Sequence, residues 1–341
     1  MKTFECQCGS TLFFHSQNCV ACQQDTARCP GCRRITTIEK LPDGIWVCSE
    51  CDQTLRLCAN RLEHGVCNGG ISAEKDGAFC SYCSLNHVIP NLDIPGNRDK
   101  WKRLEFAKHR VLYDCESLGL PIHLSEQKSG PTLQFDFKSS AADPVSTGHA
   151  NGLITIDLAE ADSVQREQTR VAFGEPHRTL VGHFRHELGH YYWELIVQPN
   201  YLADFRKLFG DETNPDYASS QQQYYDHGPQ QNWAETFISQ YASMHPWEDF
   251  AETFNGYLDM FAIVRTANHF RQQLDPRWQE DLDQLLANYI DVGVMANELN
   301  RDMGLLDLVP EVFTETVIQK LRFVHRVVRH QRQLAAEPAV S

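Results

Sequence analysis

His186 and His190 stand four residues apart, with Glu187 directly after the first, in the run His186-Glu187-Leu188-Gly189-His190. On a helix, positions four apart share a face, so two neutral imidazoles can converge on one zinc ion while Glu187 lies beside the water that the ion acidifies. That is the chemistry of metal-assisted hydrolysis, with Glu187 as general base. Leu180, Phe184, Leu188, Tyr191 and Leu195 recur at spacings of three and four behind Pro176, an apolar stripe that predicts a helix. Gly189 inside the motif leaves room for a close neighbour. The plain alternative is a helix with two exposed histidines. His183, three residues before His186, suits a supporting or substrate-facing place better than a ligand, because the motif already supplies a pair.

A third ligand must come from elsewhere, and no His-X-X-Gly-X-X-His extension follows, which disfavours the metzincin arrangement. In His245-Pro-Trp-Glu-Asp-Phe-Ala-Glu-Thr-Phe254, Pro246 is placed to start a helix and Glu248 and Glu252 fall on one face. One carboxylate can bind zinc while the other fixes the far nitrogen of a histidine ligand. Glu248 is the preferred ligand and Glu252 its support, with the reverse as the alternative. Trp247, Phe250, Phe254 and Tyr257 argue for a buried helix over a solvated acidic face, and Glu235, in a similar Trp-Ala-Glu-Thr-Phe setting, is a weaker rival. Acyl transfer also needs a donor for the developing oxyanion. Tyr241, just before this helix, suits that role; Tyr191, Tyr192 and His227 are the others.

All 13 cysteines except Cys115 lie between Cys6 and Cys83, and Cys-X-X-Cys pairs recur, which favours zinc over disulfides and a reducing, cytoplasmic setting. In chain order the groups are Cys6, Cys8, Cys19 and Cys22; Cys29, Cys32, Cys48 and Cys51; and Cys58, Cys67, Cys80 and Cys83. The second has zinc-ribbon spacing, with Pro-Gly forming a tight knuckle. The first and third are less regular, so an interleaved pairing, or two occupied sites in place of three, stays open, and His15, His64 or His87 could replace a thiolate. Thiolate-ligated zinc has no open position, so these ions are structural. The module is a scaffold or a docking surface for a protein partner.

The 341 residues carry a formal charge of -14, which excludes sequence-independent binding to nucleic acid. No apolar run is long enough to span a membrane and no secretory leader opens the chain, so an unexported protein is expected. Residues 1–90 read as the cysteine-rich module, 91–97 as a linker and 98–334 as a second domain, with a flexible tail at 335–341. Trp101, Leu104, Phe106, Val111, Leu112 and Leu118 predict a helix that ends before Gly119-Leu120-Pro121. Leu133–Phe137 and Gly152–Leu158 alternate like strands and form a candidate pair across a loop containing Gly148 and Asn151-Gly152. Beyond Pro176, helices are expected at about 177–197, 201–209, 230–243, 246–266, 276–300 and 310–332. The fold class is α+β: a small cysteine-rich zinc-ribbon module, then a mainly helical domain.

Taken together, these residues resemble the bacterial zinc-binding metallopeptidases that carry an N-terminal zinc ribbon. The resemblance covers nearly the whole chain through Leu12-Phe-Phe14, Cys80-Ser-Tyr-Cys83 running into Ile89-Pro-Asn-Leu92, Ile154–Asp162, His186–His190, His245–Phe254 and Leu299-Asn-Arg-Asp-Met-Gly304. The ribbon at Cys29–Cys51 looks like an insertion into the family's shorter module. The Glu248 helix is locally similar to that of gluzincins of the anthrax lethal factor type, which implies Glu248 as third ligand and Tyr241, seven residues earlier, as the assisting tyrosine. The resemblance implies a zincin-like fold, with the strand near Ile154 as the sheet edge that holds an extended peptide. The expected function is a zinc peptidase with one catalytic and two or three structural zinc ions, acting on a peptide or protein. A zinc-stabilised binding scaffold without turnover is the alternative.

Overall fold

Most of the N-terminal cysteines sit in turns beside short strands, and the turns explain the fold of that region. A computed structural model describes residues 2–122, 130–140, 145, 147–164, 166–168, 179–271, 274 and 276–336. The hairpin β1 (Phe4–Glu5) with β2 (Thr11–Leu12) is followed by an antiparallel sheet ordered β3 (Thr26–Arg28), β4 (Ile35–Lys40), β5 (Trp46–Cys48), β6 (Thr54–Leu57) and β7 (Gly70–Ser72). Cys29 and Cys32 occupy the β3–β4 turn. Ala27, Cys29, Ile38, Cys48 and Leu55 form a buried core with Trp46 and Leu57 packed against it.

Three Cys-X-X-Cys turns share one backbone geometry. The residues after them, Gln23, Arg33 and Asp52, have φ of 64°, 59° and 57°. Their N–H groups donate to the carbonyls of Cys19, Cys29 and Cys48 at 2.9, 3.0 and 3.0 Å. Each first cysteine in turn donates its N–H to the residue one further on, Gln24, Arg34 or Gln53, at 2.9–3.0 Å. The left-handed residue folds the chain back so that both sulfurs point the same way. Cys6-Gln7-Cys8 makes a shorter version, closed by Gly9 at φ 81°.

The chain divides into two compact units, 1–112 with 133–148 and 153–181, and 113–132 with 149–152 and 182–341. Besides the cysteine turns, the first holds most of a second sheet, ordered β10 (Gly148–Ala150), β11 (Leu153–Asp157), β9 (Gln134–Lys138) and β8 (Asn86–Val88). The two expected strands do pair, in parallel, Ile154 opposite Phe135. Asn151 and Gly152, at φ 50° and 81°, make the two-residue turn between β10 and β11. One expectation is corrected: the strand at Ile154 is flanked on both sides, so it is not the sheet edge. Helix α1 (Asn97–Ser117) buries Trp101, Leu104, Val111 and Leu112 and ends before Gly119, at φ 73°.

The second unit is helical. Helix α2 (Leu180–Tyr192) passes through a π-helical turn, Trp193–Val197, into α3 (Gln198–Phe209); α4 (Tyr217–His227), α5 (Pro246–Arg271), α6 (Leu282–Asp302) and α7 (Glu315–Ala336) follow. Pro176, expected before α2, and tail residues 337–341 lie outside the described residues. Helix α5 is the hub, packing on α3, α6 and α7 through buried Phe250, Phe254, Tyr257, Leu258, Phe261 and Val264. Ion pairs brace it. Arg185 on α2 reaches Asp259 at 2.6 Å and Asp114 at 3.6 Å, and Lys320 on α7 reaches Asp249 at 2.6 Å.

Two helix expectations differ. The segment 230–243 is not a helix but two isolated 3₁₀ turns, Trp233–Glu235 and Tyr241–Ser243, the first entered through Asn232 at φ 58°. Helix α4, on the other hand, was not expected. It is held by its ends, with Asp216 accepting the Ser219 N–H at 3.1 Å and Gly228 closing it at φ 80°. No helix among the described residues is long and apolar enough to cross a membrane.

Candidate metal centres

Helices α2 and α5 touch at Gly189. A Cβ built there would stand 2.8 Å from Ala251 Cα and 3.1 Å from Ala251 O, so only glycine permits the approach. One turn to either side, the two helices offer their polar residues to each other. His186 and His190 bring their Nε2 atoms to 3.1 Å, and Oε2 of Glu248 lies 3.0 Å from the first and 3.4 Å from the second. Ligands about 2.0–2.1 Å from a zinc ion at tetrahedral angles stand roughly 3.4 Å apart, so the triangle has the size of three ligand atoms on one ion.

The hydrogen bonds around the triangle point to a metal as well. His186 Nδ1 donates to Oε1 of Glu252 at 2.6 Å, which puts its proton on Nδ1 and leaves the Nε2 lone pair facing inward. Ser239 Oγ donates to the other Glu252 oxygen at 2.7 Å. Tyr217 donates to Oε1 of Glu248 at 2.7 Å, which leaves Oε2 for the centre. Two nitrogen lone pairs and a carboxylate oxygen therefore converge in a buried place, and they repel one another unless a cation stands between them. Trp247 covers His190 with ring centroids 3.9 Å apart, and the His190 Nδ1 is buried without a hydrogen-bond partner.

The electrostatics have the same sense. Burial opposes protonation of His186, but Glu248 and Glu252 outweigh it and hold its pKa well above the usual value. Burial raises Glu248, and His190 and His186 overcome that and hold it well below the carboxylate range. A place that would attract a proton so strongly attracts a dication for the same reason. Glu187 is buried on α2 between the two histidines.

Tyr241 lies beside the triangle, its ring centroid 6.0 Å from that of His186, and burial followed by the Glu248 charge keeps its phenol protonated. Of the other oxyanion donors considered, Tyr191 and Tyr192 give their hydroxyls to the carbonyls of Pro131 and Pro121 at 3.5 and 3.2 Å, and His227 is exposed at the end of α4. Glu235 is exposed in a 3₁₀ turn and outside the triangle. His183 is half-buried and is also outside it.

Tyr217, Ser239 and His149 belong to this neighbourhood and were not anticipated from the sequence. His149 stacks 6.4 Å from His190 and accepts the Gly152 N–H on Nε2 at 3.0 Å, and burial with the His190 charge lowers its pKa to about 3. Tyr217 opens a polar helix and His149 lies in the three-residue strand β10, so nothing in their spacing pointed to the site.

The twelve N-terminal cysteines form three four-sulfur groups in chain order, Cys6/8/19/22, Cys29/32/48/51 and Cys58/67/80/83. Pairs within them lie 3.5–3.9 Å apart, for example Cys6 with Cys22 at 3.5 Å, Cys29 with Cys51 at 3.6 Å and Cys67 with Cys80 at 3.7 Å. Disulfide sulfurs would be about 2.05 Å apart, whereas sulfurs about 2.3 Å from a tetrahedral zinc stand roughly 3.8 Å apart. The four-sulfur groups fit zinc and are not interleaved. His15, His64 and His87 replace no thiolate: His15 stacks on Phe106 at 4.0 Å, His64 lies near Glu63, and His87 pairs with Asp136. The third group is wholly buried, with Gly69 so close that a Cβ would stand 2.6 Å from Cys80 Sγ.

Comparison with known proteins agrees with this geometry. Residues 97–327 match the family described as "Putative zinc-binding metallo-peptidase", and residues 3–94 match a zinc-ribbon domain. The chain belongs to this zinc-binding metallopeptidase family and carries the zinc ribbon at its N-terminus. It is similar to uncharacterized proteins of Mycobacterium bovis and Mycobacterium tuberculosis, 36% identical with 96% of this chain and 95% of theirs covered. No solved structure matches.

Proposed function

We propose that the protein is a zinc-dependent peptidase of gluzincin type with a zincin-like catalytic domain, hydrolysing peptide or amide bonds in a peptide or protein substrate. The observation that carries the reading is the triangle of His186 Nε2, His190 Nε2 and Glu248 Oε2, with edges of 3.0–3.4 Å, beside the buried Glu187. His186, His190 and Glu248 would hold the ion, with Glu252 orienting His186. An ion held there would supply Lewis acidity, for a water and for the scissile carbonyl. Glu187 takes the proton of the attacking water and delivers it to the leaving amine. Tyr241, kept protonated by burial and by Glu248, donates to the developing oxyanion. Trp247 and the surrounding tyrosines exclude bulk solvent, which strengthens each of these interactions. The cysteine groups serve as structural zinc sites in a scaffold that offers a docking face for a protein partner. Cysteines grouped for metal and not joined as disulfides suit an enzyme of a reducing compartment, the cytoplasm.

The test is Glu187→Gln, assayed on unfolded protein and peptide-library substrates. Zinc content should match wild type while hydrolysis falls by about 10²–10⁴-fold, the usual share of a general base. Unchanged cleavage would remove Glu187 from the role. Equal inertness of both proteins towards every substrate would favour a scaffold without turnover.

A further inference from the structure

The two oxygens of Glu248 have different neighbours. Oε2 faces both histidine nitrogens, while Oε1 accepts the Tyr217 hydroxyl at 2.7 Å. A carboxylate can bind zinc through one oxygen or through both. With both, the protein would supply four donor atoms and fill the position that a hydrolytic zinc keeps open for water. A phenol donating to Oε1 ties up that oxygen and turns the carboxylate plane so that Oε2 alone is presented.

The surroundings of Tyr217 suit this task. It opens α4, a helix in which Ser220 is the buried residue, so the helix contributes little to the core. Its ring is set between His245 and Trp247, centroids 5.3 and 5.8 Å away, the residues on either side of Pro246 at the start of α5. The Trp247 N–H donates to His245 Nδ1 at 3.2 Å, and the Asp216 cap fixes the turn from which Tyr217 projects.

We propose that Tyr217 is a positioning residue that holds Glu248 to one-oxygen ligation and so preserves the open coordination position. The proposal rests on the zinc reading of His186, His190 and Glu248. Tyr217→Phe keeps the ring and removes the hydroxyl. After selective removal of the weakly held ion with 1,10-phenanthroline, cobalt(II) is added to wild type and variant, and the spectrum of His186→Ala is subtracted to remove the thiolate sites. The expected result is weaker, shifted visible bands in Tyr217→Phe as the coordination number rises. Zinc affinity at the site should fall about tenfold or more, the usual effect of losing a group that orients a ligand, while circular dichroism stays unchanged. A variant with the wild-type cobalt spectrum and zinc affinity overturns the proposal and leaves the zinc reading intact. If wild type takes up no more cobalt than His186→Ala, the zinc reading fails and the proposal falls with it.

Discussion

Gly189 on α2 and Ala251 on α5 meet backbone to backbone, with a Cβ on the glycine only 2.8 Å from the alanine Cα. His190 follows this contact directly on α2, and Glu248 and Glu252 lie on either side of it on α5. Gly189→Ala should therefore separate the helices even though alanine is the better helix former by about 1 kcal/mol. The expected outcome is a net loss of about 1–3 kcal/mol in a denaturant titration, the range for an overfilled contact, with loss of the ion at the histidine site and retention of the thiolate-bound zinc. An unchanged metal content would show that the contact does not set the site.

Glu252 bears on His186 alone, accepting its Nδ1 proton at 2.6 Å. Glu252→Gln keeps the shape and weakens the acceptor, so zinc affinity at the histidine site should fall about 10–100-fold, read by competition with a chromophoric chelator. If Glu252 were instead a ligand, and Glu248 its support, Glu248→Gln would be the milder of the two changes.

The third cysteine group depends on Gly69, where a Cβ would stand 2.6 Å from Cys80 Sγ and 3.3 Å from Cys67 Sγ. Gly69→Ala should lower the thiolate-bound zinc by one ion per chain as measured by metal analysis. Gly148→Ala, with nothing within 4 Å and no left-handed backbone, should leave the count unchanged.

His15 gives the pH dependence a defined sign. Burial, followed by the charges of His109 and Arg110, lowers its pKa from the ordinary 6.5 to about 3. The folded form stays neutral where the unfolded chain takes a proton. Its contribution to stability is therefore fully present above about pH 6.5 and is lost as pH falls towards 3. Between about pH 7.5 and pH 5.5 the wild type should lose roughly 1 kcal/mol more than His15→Gln, which lacks the titrating ring. Parallel losses in urea titrations would contradict this.

The sequence made the local parts of the site readable and hid the parts supplied by tertiary structure. His186, Glu187 and His190 lie within one helical turn and a fraction, and Glu248 and Glu252 are four apart behind a helix-starting proline, so periodicity sufficed to find them. Tyr217 reaches the site from a mostly polar, exposed helix and Ser239 from the stretch between two 3₁₀ turns, and no spacing marks either. The segment at 230–243 carries Trp233, Phe237 and Tyr241 at intervals of four, which imitates a helix. It instead forms 3₁₀ turns that place Tyr241 beside His186, and Ser239 within 2.7 Å of Glu252. In the cysteine module the ligand grouping could be read, but the left-handed turns at Gln23, Arg33 and Asp52 could not, because none of these residues is glycine.

Zinc at the histidine site is the central claim, and metal analysis of matched preparations tests it most directly. Three four-cysteine groups and the His186/His190/Glu248 triangle predict four zinc ions per wild-type chain and three in His186→Ala. The same zinc content in both would contradict it.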